Sequence, residues 1–267
     1  MSLSQAFKKG RTAFMPYICC GDPDGDFTRQ LASTFARAGA DALEFGIPFS
    51  DPIADGRAIQ SASQRALSGG MTPARALGIL KQIRKDGVRM PIAVMTYYNI
   101  LYSPGLKKML ARIKEAGADG LIVPDVPLGE SAPLLSACKK AGLKLIFLVT
   151  PNCSASRLKK IASKSSGFIY AVSVLGTTGA RKQVSPQAIS LVKRAKRITS
   201  LPIAVGFGVS TPLHAREFSK AGADGVIVGS EIVNIYSKHF SGGKLRKKAA
   251  LAEISRFAAG MVDACRK

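Results

Sequence analysis

The stretch AGADGLIVPD at residues 116–125 ends one element and begins another. Alanine and glycine close a basic helix, Ala-Asp follows, and a short apolar run leads to a proline and an acid. The same junction recurs as AGADALEFG at 38–46 and as AGADGVIVGS at 221–230. Glycine at a helix end takes up the left-handed conformation that other residues avoid. A near-continuous apolar run of strand length marks a strand buried on both faces, as in a parallel sheet. A second echo pairs MPIAVM at 90–95 with LPIAVGFG at 201–208, where a proline opens the strand after a basic helix.

Outward from these anchors, strands are predicted near 12–20, 41–47, 91–97, 118–125, 143–150, 167–174, 202–208 and 223–230. Helical stretches follow at 26–38, 57–86 in two parts, 103–116, 129–141, 154–165, 185–199, 211–221 and 231–240. Eight βα units in 267 residues, without a linker or a break in composition, fit a closed (β/α)8 barrel better than an open doubly wound sheet. The expected fold is therefore α/β, a single TIM-barrel domain over 1–267. Extra helices are expected near 3–9 at the N-terminus and near 244–264 at the C-terminus.

With 46% hydrophobic and 21% charged residues, the chain has the material for a large core. Its apolar runs, such as LKLIFLVT at 143–150, fall well short of the roughly 18 to 20 residues that span a bilayer, so no membrane segment is expected. The first residues, MSLSQAFKKGRTAF, lack the apolar core of a signal peptide, which predicts a cytoplasmic protein. Five cysteines without a CxxC pair support neither a disulfide framework nor a zinc site. The net charge of +22 raises the question of nucleic acid. Its densest runs, at 157–164, 193–197 and 244–248, read as solvated helix faces without interleaved aromatics, so no nucleic-acid partner is expected.

In a TIM barrel the active site lies at the C-terminal ends of the strands. The strand ends here carry Tyr17 with Gly21-Asp22-Pro23, then Glu44, Tyr97 with Asn99, Asp125, Tyr170 with GTTGAR, GFG at 206–208, and Gly229-Ser230. The last three units outline a phosphate site. Glycine turns let backbone N–H groups approach an anion, and Ser230 would open a helix whose N-terminus favours negative charge; the same glycines also suit tight turns alone. Glu44 belongs to ALEFGIPFSDPIADG at 42–56, which gathers Glu44, Asp51 and Asp55 in a chain that has only 17 acids. A strand carboxylate can be a buried acid neutralised by lysine or arginine. At a strand end facing Asp55 it can instead divide acid and base work, with Glu44 desolvated and Asp55 on a loop. Asp51, before Pro52, reads as a turn residue. His214 and His239 fall on helices away from the mouth and read as exposed or packing residues.

LEFGIPFSDPIADG, GDP at 21–23, MTYYN at 95–99, DVP at 125–127, TPN at 150–152, GTTGAR at 176–181, GFGVS at 206–210 and VGS at 228–230 together closely resemble the tryptophan synthase alpha chain family. The resemblance runs from about Phe14 to the C-terminal helix. It implies a (β/α)8 lyase that cleaves indole-3-glycerol phosphate, by a retro-aldol step, to indole and glyceraldehyde 3-phosphate, with no cofactor or metal of its own. It also implies a beta chain as partner in an α2β2 heterotetramer, where pyridoxal phosphate on the beta chain serves to join indole to serine. Carried onto this chain, Glu44 matches the proton-shuttling glutamate and Asp55 the aspartate that contacts the indole N–H. Tyr170 matches a tyrosine beside the glycerol chain, and Tyr17 and Phe207 fall where the family lines its pocket. Thr178 and Gly179 match a loop that closes over the substrate, Thr178 helping to position Asp55. Gly179, Gly208, Gly229 and Ser230 match the phosphate cradle. A stand-alone indole-3-glycerol phosphate lyase remains an alternative, whereas indole-glycerol-phosphate synthase would need a strand-end lysine that is absent here.

Overall fold

The computed structural model describes residues 3–7, 10–172 and 184–266. Its parallel sheet contains β1 (Ala13–Cys19), β2 (Leu43–Gly46), β3 (Ile92–Met95), β4 (Gly120–Ile122), β5 (Lys144–Ile146), β6 (Leu148–Val149), β7 (Ile169–Val172), β8 (Ile203–Gly206) and β9 (Gly225–Val228). The neighbour order is β5-β4-β3-β2-β1-β9-β8-β7-β6. The two ends of that order, β5 and β6, are consecutive in the chain and separated only by Phe147, so the ring closes through the backbone itself. They are the single fifth strand expected at 143–150, interrupted where the chain passes from one neighbour to the other. Lys144–Ile146 pairs with β4, while the Phe147 carbonyl accepts from the Tyr170 N–H at 3.0 Å and β6 pairs with β7. The architecture is a (β/α)8 TIM barrel.

The threefold AGAD junction has one physical meaning in all its copies. Gly39, Gly117 and Gly222 have φ of 88°, 99° and 93°, and with the following alanines they donate to the last carbonyls of their helices. The next residue, an aspartate, then accepts from the backbone N–H of the preceding strand: Asp41 from Phe14 at 3.0 Å, Asp119 from Ile92 at 2.9 Å and Asp224 from Ile203 at 2.8 Å. Each aspartate also holds a cation, Arg11, Arg84 and Lys196 respectively. These stitches lie at the N-terminal end of the barrel, the face that serves stability rather than chemistry. The same end is covered by the N-terminal segment: Leu3 packs against Gly120 and Gly167, and Phe7 against Gly225 and the Phe168 ring.

Several element boundaries differ from the sequence expectation. The N-terminal helix is Leu3–Ala6, shorter than 3–9. The helix expected at 103–116 is Leu106–Glu115, and an additional short helix, Tyr98–Tyr102, precedes it, with Gly105 at φ 91° between them. The C-terminal helix, Lys247–Arg266, begins three residues later than expected. Phe240–Ser241 and Lys244–Leu245 instead form an antiparallel hairpin. Its two-residue turn, Gly242-Gly243 with φ 55° and 74°, has the left-handed geometry that tight hairpins require. Among the described residues, no helix is long and apolar enough to cross a membrane. The positive charge is uneven: no acid occurs between Glu130 and Glu217, so the helices Ala132–Ala141, Ala155–Lys164 and Pro186–Ile198 carry only basic charge on that side of the barrel.

Candidate active site

A pocket opens at the C-terminal ends of the strands, lined by Tyr17, Glu44, Asp55 and Tyr170 together with Phe207 to Ser210, Gly229 and Ser230. Ile59, Met95 and Ile227 complete it with apolar wall. Sequence reading did not single out those three, which look like any other core residue until the barrel closes around them.

Two glycines explain how the tyrosines reach the cavity. Tyr17 on β1 lies across Gly46 of β2, and Tyr170 on β7 lies across Gly206 of β8; a Cβ at either glycine would collide with the tyrosine's hydroxyl. Gly206 therefore makes room for a ring, a different task from the anion contact expected of the whole GFG turn. The Tyr170 ring meets Phe207 edge-on, with centroids 5.7 Å apart. Burial pushes both phenols well above the usual tyrosine range, so they stay protonated.

Glu44 is 1% exposed and stands in register with Tyr17. Neither of its carboxylate oxygens meets a hydrogen-bond donor in bonding geometry among the described residues. Burial, reinforced by the charge of Asp55 and offset in part by the nearby Tyr170 hydroxyl, pushes its pKa up to about 8. Among the described residues no arginine or lysine pairs with it, so the buried ion-pair alternative finds no support there.

Asp55 is also buried, at 6% exposure, although it sits on a loop. The sequence expectation that only Glu44 would be desolvated is thus corrected. Pro52 accepts the Asp55 N–H at 3.2 Å, and Gln60 Nε2 donates to its carbonyl at 2.8 Å, so the loop folds inward onto the barrel. Burial raises Asp55 to about 6, with the Tyr97 hydroxyl opposing the rise. That hydroxyl also accepts the Ala54 N–H at 3.1 Å, and its ring stacks on Phe49. Tyr97 was legible only as a strand-end residue; its task of holding the Asp55 loop depends on a contact 43 positions away. Near pH 7 the values of about 8 and about 6 leave Glu44 protonated and Asp55 ionised.

At the other end, Phe207 adopts φ 64°, unusual for a residue with a side chain, and Gly208 follows at 91°. This bend turns the backbone toward the cavity next to Gly229 and Ser230, the latter opening the helix Ser230–Ser237. The first turn of that helix also brings Glu231 to the pocket edge. Thr178 and Gly179 lie outside the described residues. His214 is a buried packing residue whose Nδ1 is 3.4 Å from the Ser210 N–H nitrogen, and His239 contacts Glu253 away from the pocket. Asp51 is exposed in its turn, while Asp125 caps the Tyr98 N–H. The pocket therefore sets a neutral acid beside an ionised carboxylate and has Gly208, Gly229 and Ser230 in its wall.

The family model for the tryptophan synthase alpha chain matches residues 3–264. The chain belongs to the tryptophan synthase alpha chain family. Among similar members, the tryptophan synthase alpha chain of Methanoregula boonei is 45% identical over 232 residues, covering 87% of each chain. That of Shouchella clausii is 47% identical over 231 residues, 86% of this chain and 85% of its own. A solved chain of the tryptophan synthase α2β2 complex from Pyrococcus furiosus superimposes with a TM-score of 0.87 at 38% identity, covering 95% of this chain and 98% of that one. The family's barrel is thus present along nearly the whole length, with Glu44 and Asp55 at its mouth.

Proposed function

We propose that this chain cleaves indole-3-glycerol phosphate to indole and glyceraldehyde 3-phosphate in the cytoplasm. The indole would pass to a beta chain in an α2β2 assembly. The observation that carries the reading is Glu44: a buried carboxyl that no cation pairs among the described residues, held protonated near neutrality beside an ionised Asp55. Glu44 donates its proton to carbon C3 of the indole, and the positive charge that appears on the ring nitrogen is stabilised by Asp55, which accepts the N–H. Glu44, now a carboxylate, removes the proton from the hydroxyl on the adjacent glycerol carbon. The C–C bond breaks, its electron pair returns to the ring to restore indole, and the carbinol carbon becomes the aldehyde. Glu44 ends the cycle protonated, so atoms and charge balance.

Tyr170 and Tyr17 pack beside the reacting carbons, and Phe207 closes the pocket edge-on. Gly208, Gly229 and Ser230 receive the phosphate, together with Gly179; Thr178 helps to hold Asp55. No metal or cofactor is assigned to this chain. Pyridoxal phosphate belongs to the beta chain, where it supplies the chemistry that joins indole to serine. Exposed Ile53, on the Asp55 loop, and Tyr102, beyond β3, stand at the mouth side of the barrel and suit a partner's apolar surface.

An indole-release assay on purified protein, with and without a beta chain, tests the reading. A slow release that rises on adding the beta chain is expected; full activity alone would make the chain a stand-alone lyase, and no release in either case would overturn the assignment.

A further inference from the structure

Outside the pocket, the most completely buried acid is Asp22, in the loop after β1. Its two oxygens take a two-pronged contact from Arg65, Nε at 2.8 Å and Nη2 at 2.7 Å, and the Tyr236 hydroxyl donates to one of them. The Arg65 guanidinium lies 5.2 Å above the Phe240 ring, and Tyr236 meets Phe27 edge-on at 5.5 Å, so aromatic rings shield the charges. None of these three polar residues lines the pocket.

What they connect does. Arg65 is on the helix Arg57–Ser68, whose Ile59 forms pocket wall and whose Gln60 bonds the Asp55 carbonyl. Tyr236 is on Ser230–Ser237, whose first residue faces the phosphate end. Asp22 itself follows the strand that carries Tyr17. We propose that Asp22 is a positioning residue: through Arg65 and Tyr236 it locks the helix behind Asp55 and the helix behind Ser230 into one register, coupling the carboxylate end of the site to its anion end. This deepens the functional reading above and rests on it. A buried charge cluster is a poor way to stabilise a fold compared with apolar packing, but its fixed geometry defines one arrangement of the elements that it joins.

The test uses Arg65→Met and Tyr236→Phe in the full chain, with inorganic phosphate as the binding probe and indole release as the kinetic one. Arg65 lines no part of the pocket, yet Arg65→Met is expected to weaken phosphate binding by roughly fivefold or more. Tyr236→Phe, on the phosphate helix, is expected to lower kcat at saturating substrate by a similar factor. The double variant should cost little more than either alone, since both act through one carboxylate. A fall in Tm with phosphate affinity and kcat unchanged would reduce the cluster to fold stability and overturn the coupling. Fully additive effects would overturn the shared hub. If Arg65→Met does not fold, Asp22→Asn, which keeps the shape and removes the charge, replaces it under the same criteria. Wild-type protein that binds no phosphate would remove the reading beneath the proposal, an outcome distinct from phosphate binding that the variants leave untouched.

Discussion

Two groups of buried and half-buried acids in this barrel are used in opposite ways. At the N-terminal end Asp41, Asp119 and Asp224 each bind a strand N–H and a cation. Glu44 and Asp55, at the pocket, have no cation among the described residues, and both are pushed upward by burial, to about 8 and about 6. Pairing makes an acid a structural stitch. Leaving it unpaired in the same apolar surroundings makes it a proton carrier, at a cost to the fold, because the charged form is poorly solvated there.

The sharpest way to break this contrast is Glu44→Gln, expected to reduce indole release by about 10²- to 10⁴-fold while ligand binding persists. Normal turnover in a steady-state assay would sink the assignment. The same variant has a stability signature. A folded-state pKa of about 8 against an ordinary value of 4.5 means that the native state binds the proton more tightly than the unfolded chain. The stability of the wild type should therefore fall as pH rises from about 5 through 8, and Asp55 adds to the fall up to about 6. Thermal melts of Glu44→Gln across that range should decline less steeply; parallel curves would contradict the buried, unpaired state.

The pH–rate profile comes next in size. Asp55 must be ionised and Glu44 protonated, so kcat/KM should rise through about pH 6 and fall above about 8, tenfold per unit on each limb. Because the two groups interact, those limbs belong to the pair. A flat profile from pH 5 to 9 would remove the division of labour.

At the other end, Asp41→Ala should destabilise by about 2 to 3 kcal/mol, since it strips a charged acceptor from Phe14 and leaves Arg11 unmatched. The kcat of the folded protein should not change. A loss of activity larger than the loss of folded protein would blur the distinction between the ends. The smallest effect is expected from Tyr97→Phe, which removes a hydroxyl that holds Asp55 down in pKa. The acidic limb of the rate profile should move to higher pH, with less than a tenfold fall at pH 7.

Much of this was legible in sequence. The AGAD junctions and apolar runs placed all eight strands of the ring, because helix termination and double-sided burial are local signals. Glu44 and Asp55 stood out because acids are scarce in this chain and these two sit around a strand end. The misses share a different origin. The hairpin around Gly242-Gly243 was missed because Phe240 was read as the end of one helix and the basic run from Lys244 as the start of the next. Tyr97 and the Asp22 cluster act through partners 43 positions or more away, which no window of neighbouring residues contains. Asp55 looked solvated because loops usually are, yet Gln60 and Tyr97 draw it into the cavity.

The sequence by itself determined the number of strands, their parallel order and the residues delivered to the mouth, since periodicity, turn chemistry and helix caps act over a few residues. Only the tertiary structure decided which acids are neutralised and which are left to titrate. A carboxyl group's proton affinity depends on the water removed from it and on charges brought beside it by distant parts of the chain, and both are properties of the closed barrel.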